Sequence, residues 1–177
     1  MKLVVINGTP RTFGRTRLAA KWMEKHHNAQ LFDLSTAGLP LYNGESEQRE
    51  VESVQALQKL VAEADGVILC SPEYHSGMSG ALKNALDFLG SELTHKPVGL
   101  FAVGGGGKGG MNALNNMRIV SRGLYANVIP KQVVVDKNFI LEDGELAENA
   151  VKLVNDLVTE LRMYMEFYHG VVRKQLS

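Results

Sequence analysis

The sequence predicts an α/β fold built on a doubly wound parallel sheet, and three observations carry that expectation. Short β-branched runs alternate with amphipathic helical stretches along the whole chain. The runs are apolar at nearly every position, as strands covered on both faces are, instead of alternating apolar with polar residues. No internal repeat, low-complexity tract or interdomain linker interrupts the series, so residues 1–177 are expected to form one domain.

The elements follow in order. Residues 2–6 are a β-branched run ended by Asn7-Gly8, and a helix is expected over 15–27. A weaker second strand spans 30–34. Val51, Val54, Leu57, Val61 and Ala64 then recur every three or four positions, which places one apolar stripe on a helix. Residues 66–70 form a third strand, closed by Ser71-Pro72. Residues 80–89 form a helix with Ala81, Leu82, Ala85, Leu86 and Leu89 inward and Lys83 and Asp87 as an i,i+4 pair. The apolar side of that helix suits either the core or a subunit contact. Residues 97–103 make the fourth strand, 111–124 a helix and 133–135 the fifth strand. The last helix, 145–168, carries Leu146, Ala150, Leu153, Leu157, Leu161 and Tyr164 on one face.

Composition removes several function classes. At 177 residues, with 45% hydrophobic and 21% charged residues, the chain is ordinary globular material. Nineteen basic residues balance nineteen acidic ones, so no overall field favours nucleic acid or an anionic membrane, and any anion site must be local. The single cysteine, Cys70, excludes an internal disulfide framework and a CxxC redox pair, and reads as a small apolar residue ending a buried strand. No apolar run approaches transmembrane length, and the run before Asn7 is too short for a signal-peptide core. A cytoplasmic protein is expected.

In doubly wound sheets ligands bind beyond the carboxyl ends of the strands, where neighbouring connections diverge to opposite faces. Three loops therefore matter. The loop over 8–16 carries glycines for close backbone approach, the hydroxyls of Thr9, Thr12 and Thr16, and Arg11 and Arg15 at the start of a helix. Backbone N–H groups and the helix dipole favour an anion there, and guanidinium adds charge-assisted hydrogen bonds. Residues 1–23 hold five basic side chains and no carboxylate. The plainer alternative is a solvated turn with a helix cap. A Walker A loop is excluded, because five residues separate Gly8 from Gly14 where four are required and Arg15 stands in place of lysine.

The second loop, Ser71-Pro72-Glu73-Tyr74-His75-Ser76-Gly77, presents an aromatic face and a hydroxyl at a strand end, or is an ordinary surface loop. Pro72 and Gly77 are expected to shape its turn. His75 has no second ligand at metal spacing, so no metal site is expected. The third loop runs from Gly104 to Gly110 around Lys108. It satisfies GxGxxG, but it follows the fourth strand, and no acidic residue between Met111 and Val135 is available to hold a ribose. Its glycines suit a flat wall against a planar ring, or a loop that moves. Arg118, Arg122 and Lys131 could meet an extra nicotinamide phosphate, line a subunit contact, or form a solvated basic face.

Together these loops resemble the NADPH-dependent FMN reductase family, and within it the small bacterial azobenzene reductases. The likeness covers most of the chain. It is carried by Asn7 to Arg11 with Gly14-Arg15-Thr16, by the stretch from Ser71 through Asp87, and by the glycine run leading into Asn112 to Arg118. The resemblance implies a flavodoxin-like five-stranded parallel sheet in order 2-1-3-4-5, with FMN held noncovalently. Thr9, Arg11, Arg15 and Thr16 would surround the FMN phosphate. Pro72, Glu73, Tyr74, His75 and Ser76 would border the isoalloxazine, mainly through backbone groups, and Gly104, Gly105, Gly106 and Gly107 would close its other side. Many relatives have serine at Thr9 and asparagine at His75.

It implies further that NADPH or NADH gives hydride to FMN, which reduces quinone, azo or flavin acceptors in ping-pong fashion. The alternative is a flavodoxin-type electron carrier without nicotinamide activity. The implied partners are the nicotinamide and small aromatic acceptors, with no nucleic acid and no membrane, and the chain is expected as a homodimer or homotetramer. The cofactor carries the chemistry, so no side-chain catalytic residue is assigned.

Overall fold

The computed structural model describes residues 1–105 and 109–172. Its strands are β1 (Leu3–Asn7), β2 (Gln30–Asp33), β3 (Gly66–Tyr74), β4 (Gly77–Met78), β5 (Pro97–Gly104) and β6 (Asn127–Asp136). The helices are α1 (Arg15–His27), α2 (Glu52–Glu63), α3 (Gly80–Asp87), α4 (Met111–Gly123) and α5 (Glu148–Phe167). Five strands pair in parallel in the order β2-β1-β3-β5-β6, and the two-residue β4 folds back antiparallel on the end of β3. Counting the parallel strands alone, this is the expected 2-1-3-4-5 sheet. β4 is the one addition, too short to leave a hydrophobic period in the sequence.

Burial explains why the strands read as continuous apolar runs. Leu3 and Val5 of β1, Ile68 and Cys70 of β3, and Phe101 and Val103 of β5 face a core shared with α1 and α5. Their neighbours Val4, Ile6, Val67, Leu69, Leu100 and Ala102 face the opposite core, under α2, α3 and α4. With side chains alternating sides, both faces must be apolar. Leu82, Ala85, Leu86 and Leu89 are buried within the chain, which assigns that side of α3 to the core.

Three expectations need correction. β3 runs past Ser71-Pro72 to Tyr74, since beyond Asn7–Cys70 it has no β1 partner to demand an N–H from Pro72 and it still pairs with β5. β6 begins at Asn127, six residues before the expected strand; its first half, Asn127 to Lys131, mixes buried Ile129 with exposed positions and is interrupted by Pro130. On α5 the buried residues are Ala150, Val154, Leu157, Val158, Leu161 and Met165, whereas Leu153 and Tyr164 stay exposed. No described helix is long and apolar enough to cross a membrane.

Candidate functional site

The chain leaves β1 toward the face covered by α1, and leaves neighbouring β3 toward the face covered by α3. The crevice between these connections is the topological switch point of the sheet. Loop 8–16 enters it tightly. Gly8 N donates to Cys70 O at 2.7 Å, and a Cβ on Gly8 would collide with that same carbonyl. Asn7 holds the loop from below: its Nδ2 donates to Thr9 O at 3.2 Å and to Asp33 Oδ1 at 2.7 Å, and its Oδ1 accepts from Thr9 N at 3.2 Å.

Asp33, at the end of β2, also accepts from Arg17 Nε at 2.6 Å and from the Ser35 hydroxyl at 2.7 Å. Burial alone would push its carboxyl up, but hydrogen bonds from Ser35, Asn7 and Arg17 together hold it below the ordinary carboxylate range. A Rossmann domain keeps a ribose-binding acid near this position. Here that carboxylate is fully engaged in bracing the loop.

The loop residues divide by role. Thr9 and Thr16 are buried, and Thr9 Oγ1 accepts from Arg11 N at 3.3 Å. The Arg11 side chain is exposed and makes no hydrogen bond or ion pair among the described residues. Arg15 instead sends its guanidinium sideways, donating to Ile140 O at 2.6 Å and lying 3.5 Å from Glu142. Phe13, at the tip, is 93% exposed.

The second loop is a hairpin. Tyr74 pairs with Gly77 across two residues in left-handed backbone, His75 at φ +49° and Ser76 at φ +64°. Two positive φ angles define the type I′ turn that matches strand twist, and asparagine is the non-glycine residue best suited to its first position. The backbone thus explains why asparagine suits position 75. Tyr74, His75 and Ser76 are exposed, and Pro72 and Glu73 partly so.

Below the hairpin, Ser79 Oγ donates to Gly8 O and accepts from Leu82 N, capping α3, while Ser79 N donates to Ser71 Oγ at 3.0 Å. These two serines fasten the first loop to the second. The third loop begins at Gly104 and ends at Gly110, the residue before α4, with φ +105°. Gly104 is buried and Gly105 exposed, whereas Gly106 and Gly107 lie outside the described residues. A groove of about 530 Å³ lined by Gly104, Gly109, Val134, Asp136, Asn138 and Phe139 opens beside it.

All five helices begin at this end of the sheet, and their N-termini are not equivalent. α3 is capped by Ser79, and three N–H groups at the start of α4 are taken by the Glu73 carboxylate. α2 and α5 carry Glu52 and Glu148 in their first turns. Only α1 has neither a side-chain cap nor an acid there. Its free donors, the buried Thr9 and Thr16 hydroxyls and the unpaired Arg11 form a site that fits a phosphate. Gly104, at the end of β5, and the Tyr74 hairpin, at the end of neighbouring β3, offer bare backbone and an aromatic side chain to a planar ring. The residues present therefore suit FMN.

Comparison with known proteins agrees with this geometry. The family model for NADPH-dependent FMN reductase matches residues 1–139. The chain belongs to this family. The NADPH azoreductase of Bacillus sp. (strain OY1-2) is 59% identical over 178 residues, covering 100% of this chain and 99% of the relative. The FMN-dependent NADPH-azoreductase of Staphylococcus aureus (strain USA300) is 28% identical, over 90% of this chain and 94% of its own length. Among solved structures, the flavoenzyme NAD(P)H:(acceptor) oxidoreductase (FerB) of Paracoccus denitrificans superposes with a TM-score of 0.74 at 19% identity, covering 96% of this chain and 97% of that one. That likeness speaks for the fold.

Several residues that build the site of this FMN reductase were not singled out from sequence. Ser79 was the most accessible of these, a serine directly before a helical pattern. Asn84 was not: its side chain donates to Pro40 O and accepts from Tyr42 N, each at 2.8 Å, and so pins the irregular segment after β2. Arg118 is occupied by Gln132 and Ile129 O, and Lys131 pairs with Asp156 at 3.4 Å. A separate cavity of about 360 Å³, lined by residues including Tyr42, Arg49, Phe88 and Glu92, touches none of the three loops.

Proposed function

We propose that this chain acts as a single domain, residues 1–177, that binds FMN in the β1–β3 crevice, takes hydride from NADPH and reduces quinone, azo or flavin acceptors. FMN supplies the hydride chemistry when bound, and the chain's own residues bind, orient and shield it. The observation that carries this reading is the open, acid-free N-terminus of α1 beside Arg11, Thr9 and Thr16. Arg11 and the two hydroxyls hold the phosphate. Arg15 contributes its backbone N–H at the first helical position while its guanidinium braces the 137–144 segment. Pro72, Glu73, Tyr74, His75 and Ser76 border one side of the ring, and Gly104 to Gly107 close the other.

The carrier alternative is disfavoured by the balanced charge, which offers no strongly acidic docking field, and by the azoreductase at 59% identity over the full chain. Donor and acceptor share one exposed ring face in this reading, so they alternate. A homodimer or homotetramer in the cytoplasm is part of the proposal. Exposed Phe13, Leu41, Phe139 and Leu141 in the connections, with Tyr74 at the end of β3, support a second copy packing at the site. Steady-state rates at varied NADPH and quinone test the scheme. Parallel double-reciprocal lines are expected, and lines converging to the left of the axis would require both substrates bound at once.

A further inference from the structure

One side chain ties the hairpin after β3 to the start of α4. Glu73 Oε2 accepts from Gly110 N at 2.7 Å, Asn112 N at 3.0 Å and Ala113 N at 3.2 Å. Glu73 itself belongs to the hairpin, paired with Met78, and Met78 N donates back to Asn116 Oδ1 of α4 at 3.3 Å. Hairpin and helix are thus tied by side chains running in both directions. At the neck of the glycine loop, Gly104 and Gly109 approach so closely that a Cβ on Gly104 would strike the Gly109 carbonyl. Gly110, held in left-handed backbone against Val134, is where Glu73 grips.

We infer that the Glu73 side chain is a positioning residue that sets the spacing between the Tyr74 hairpin and the start of α4 at Gly110, and hence the width of the ring site between the ends of β3 and β5. This rests on the FMN reading given above. A carboxylate on the first N–H groups of α4 also cancels the positive end of that helix, so α4 does not compete with α1 for the phosphate. Its negative charge lies at the ring end of the crevice, where it disfavours the added charge of a reduced ring.

The test compares wild type, Glu73→Ala, Glu73→Gln and Arg11→Ala for binding of FMN and of riboflavin, which lacks the phosphate, by quenching of flavin fluorescence. Glu73→Ala is expected to weaken both flavins by the same factor, about tenfold or more for lost hydrogen bonds to a charged group. Arg11→Ala should weaken FMN alone. Glu73→Gln keeps an acceptor oxygen and loses the charge, so it should bind both flavins better than the alanine variant and shift the reduction potential of bound FMN positive. In flavin-free protein, amide exchange at Gly110, Asn112 and Ala113 should quicken in Glu73→Ala.

Wild-type affinity for both flavins in Glu73→Ala would overturn the inference while leaving the FMN reading intact. If Glu73→Ala does not fold, a Glu73→Gln variant with wild-type affinity for both flavins and an unchanged potential would overturn it equally. Failure of wild type to bind FMN would defeat the reading itself, and the exchange measurement would still decide whether Glu73 pins the loop.

Discussion

At the scale of single residues, the site rests on a few charges whose partners set their roles. Arg11 is free and Arg15 is engaged, although both stand in one loop and look equivalent in the sequence. Arg11→Ala should therefore loosen FMN by about 1.5–3 kcal/mol, the usual worth of a hydrogen bond to a charged group. Arg15→Ala should cost less affinity and should increase proteolysis of the 137–144 segment. Equilibrium dialysis of FMN and limited digestion would check the two. Asp33 makes a different kind of prediction. Its carboxyl is held below its unfolded value, so its stabilising contribution is complete above the ordinary carboxylate pKa of about 3.9 and fades as pH falls through the lower folded value. Asp33→Asn should be less stable at neutral pH and should lose less of its remaining stability on acidification, as followed by urea unfolding across that window.

The hairpin residues show what a sequence conceals at this scale. Nothing in Tyr74-His75-Ser76-Gly77 announces two left-handed residues, because histidine and serine are not the usual occupants of such a turn. Ser76→Gly should relieve about 1 kcal/mol of backbone strain, read as a rise in thermal midpoint with FMN affinity unchanged.

At the scale of elements, legibility followed locality. The bounds of α1 and the apolar side of α3 were legible locally, whereas the assignment of that side to the core needed the structure. Long-range partners could not. Glu73 caps a helix that begins 38 residues later, as Met111 follows it in the chain, and no local pattern reports such a cap. Only the apolar end of β6 is legible, because Pro130 interrupts Asn127 to Lys131 and the adjacent Val128 and Ile129 break the alternation that marks a strand. α5 was assigned a face that slips around the helix, since Leu153 and Tyr164 are apolar yet exposed. Ser79→Ala removes the α3 cap and leaves the Gly8 carbonyl without its donor. A loss of about 1–3 kcal/mol in unfolding free energy is expected, with FMN affinity reduced because loops one and two separate.

At the level of the whole molecule, the fold places five helix N-termini around one end of the sheet, answering three with a carboxylate and one with the Ser79 cap. In the proposed reading the anion site of this neutral chain is therefore local, at the N-terminus of α1. The three loops could be selected from sequence because the strand order dictates where ligands bind; the division of labour among their side chains required the structure. In the proposed function the β1–β3 crevice holds FMN for reduction by NADPH, and this site decides the rest. It is tested most directly by loading the flavin-free protein with FMN, removing excess flavin, and adding NADPH without oxygen while following the visible flavin absorbance. One FMN retained per chain and bleaching of that absorbance are expected, with recovery when a quinone is added. Retained FMN that NADPH fails to bleach, or a chain that retains no FMN, would contradict it.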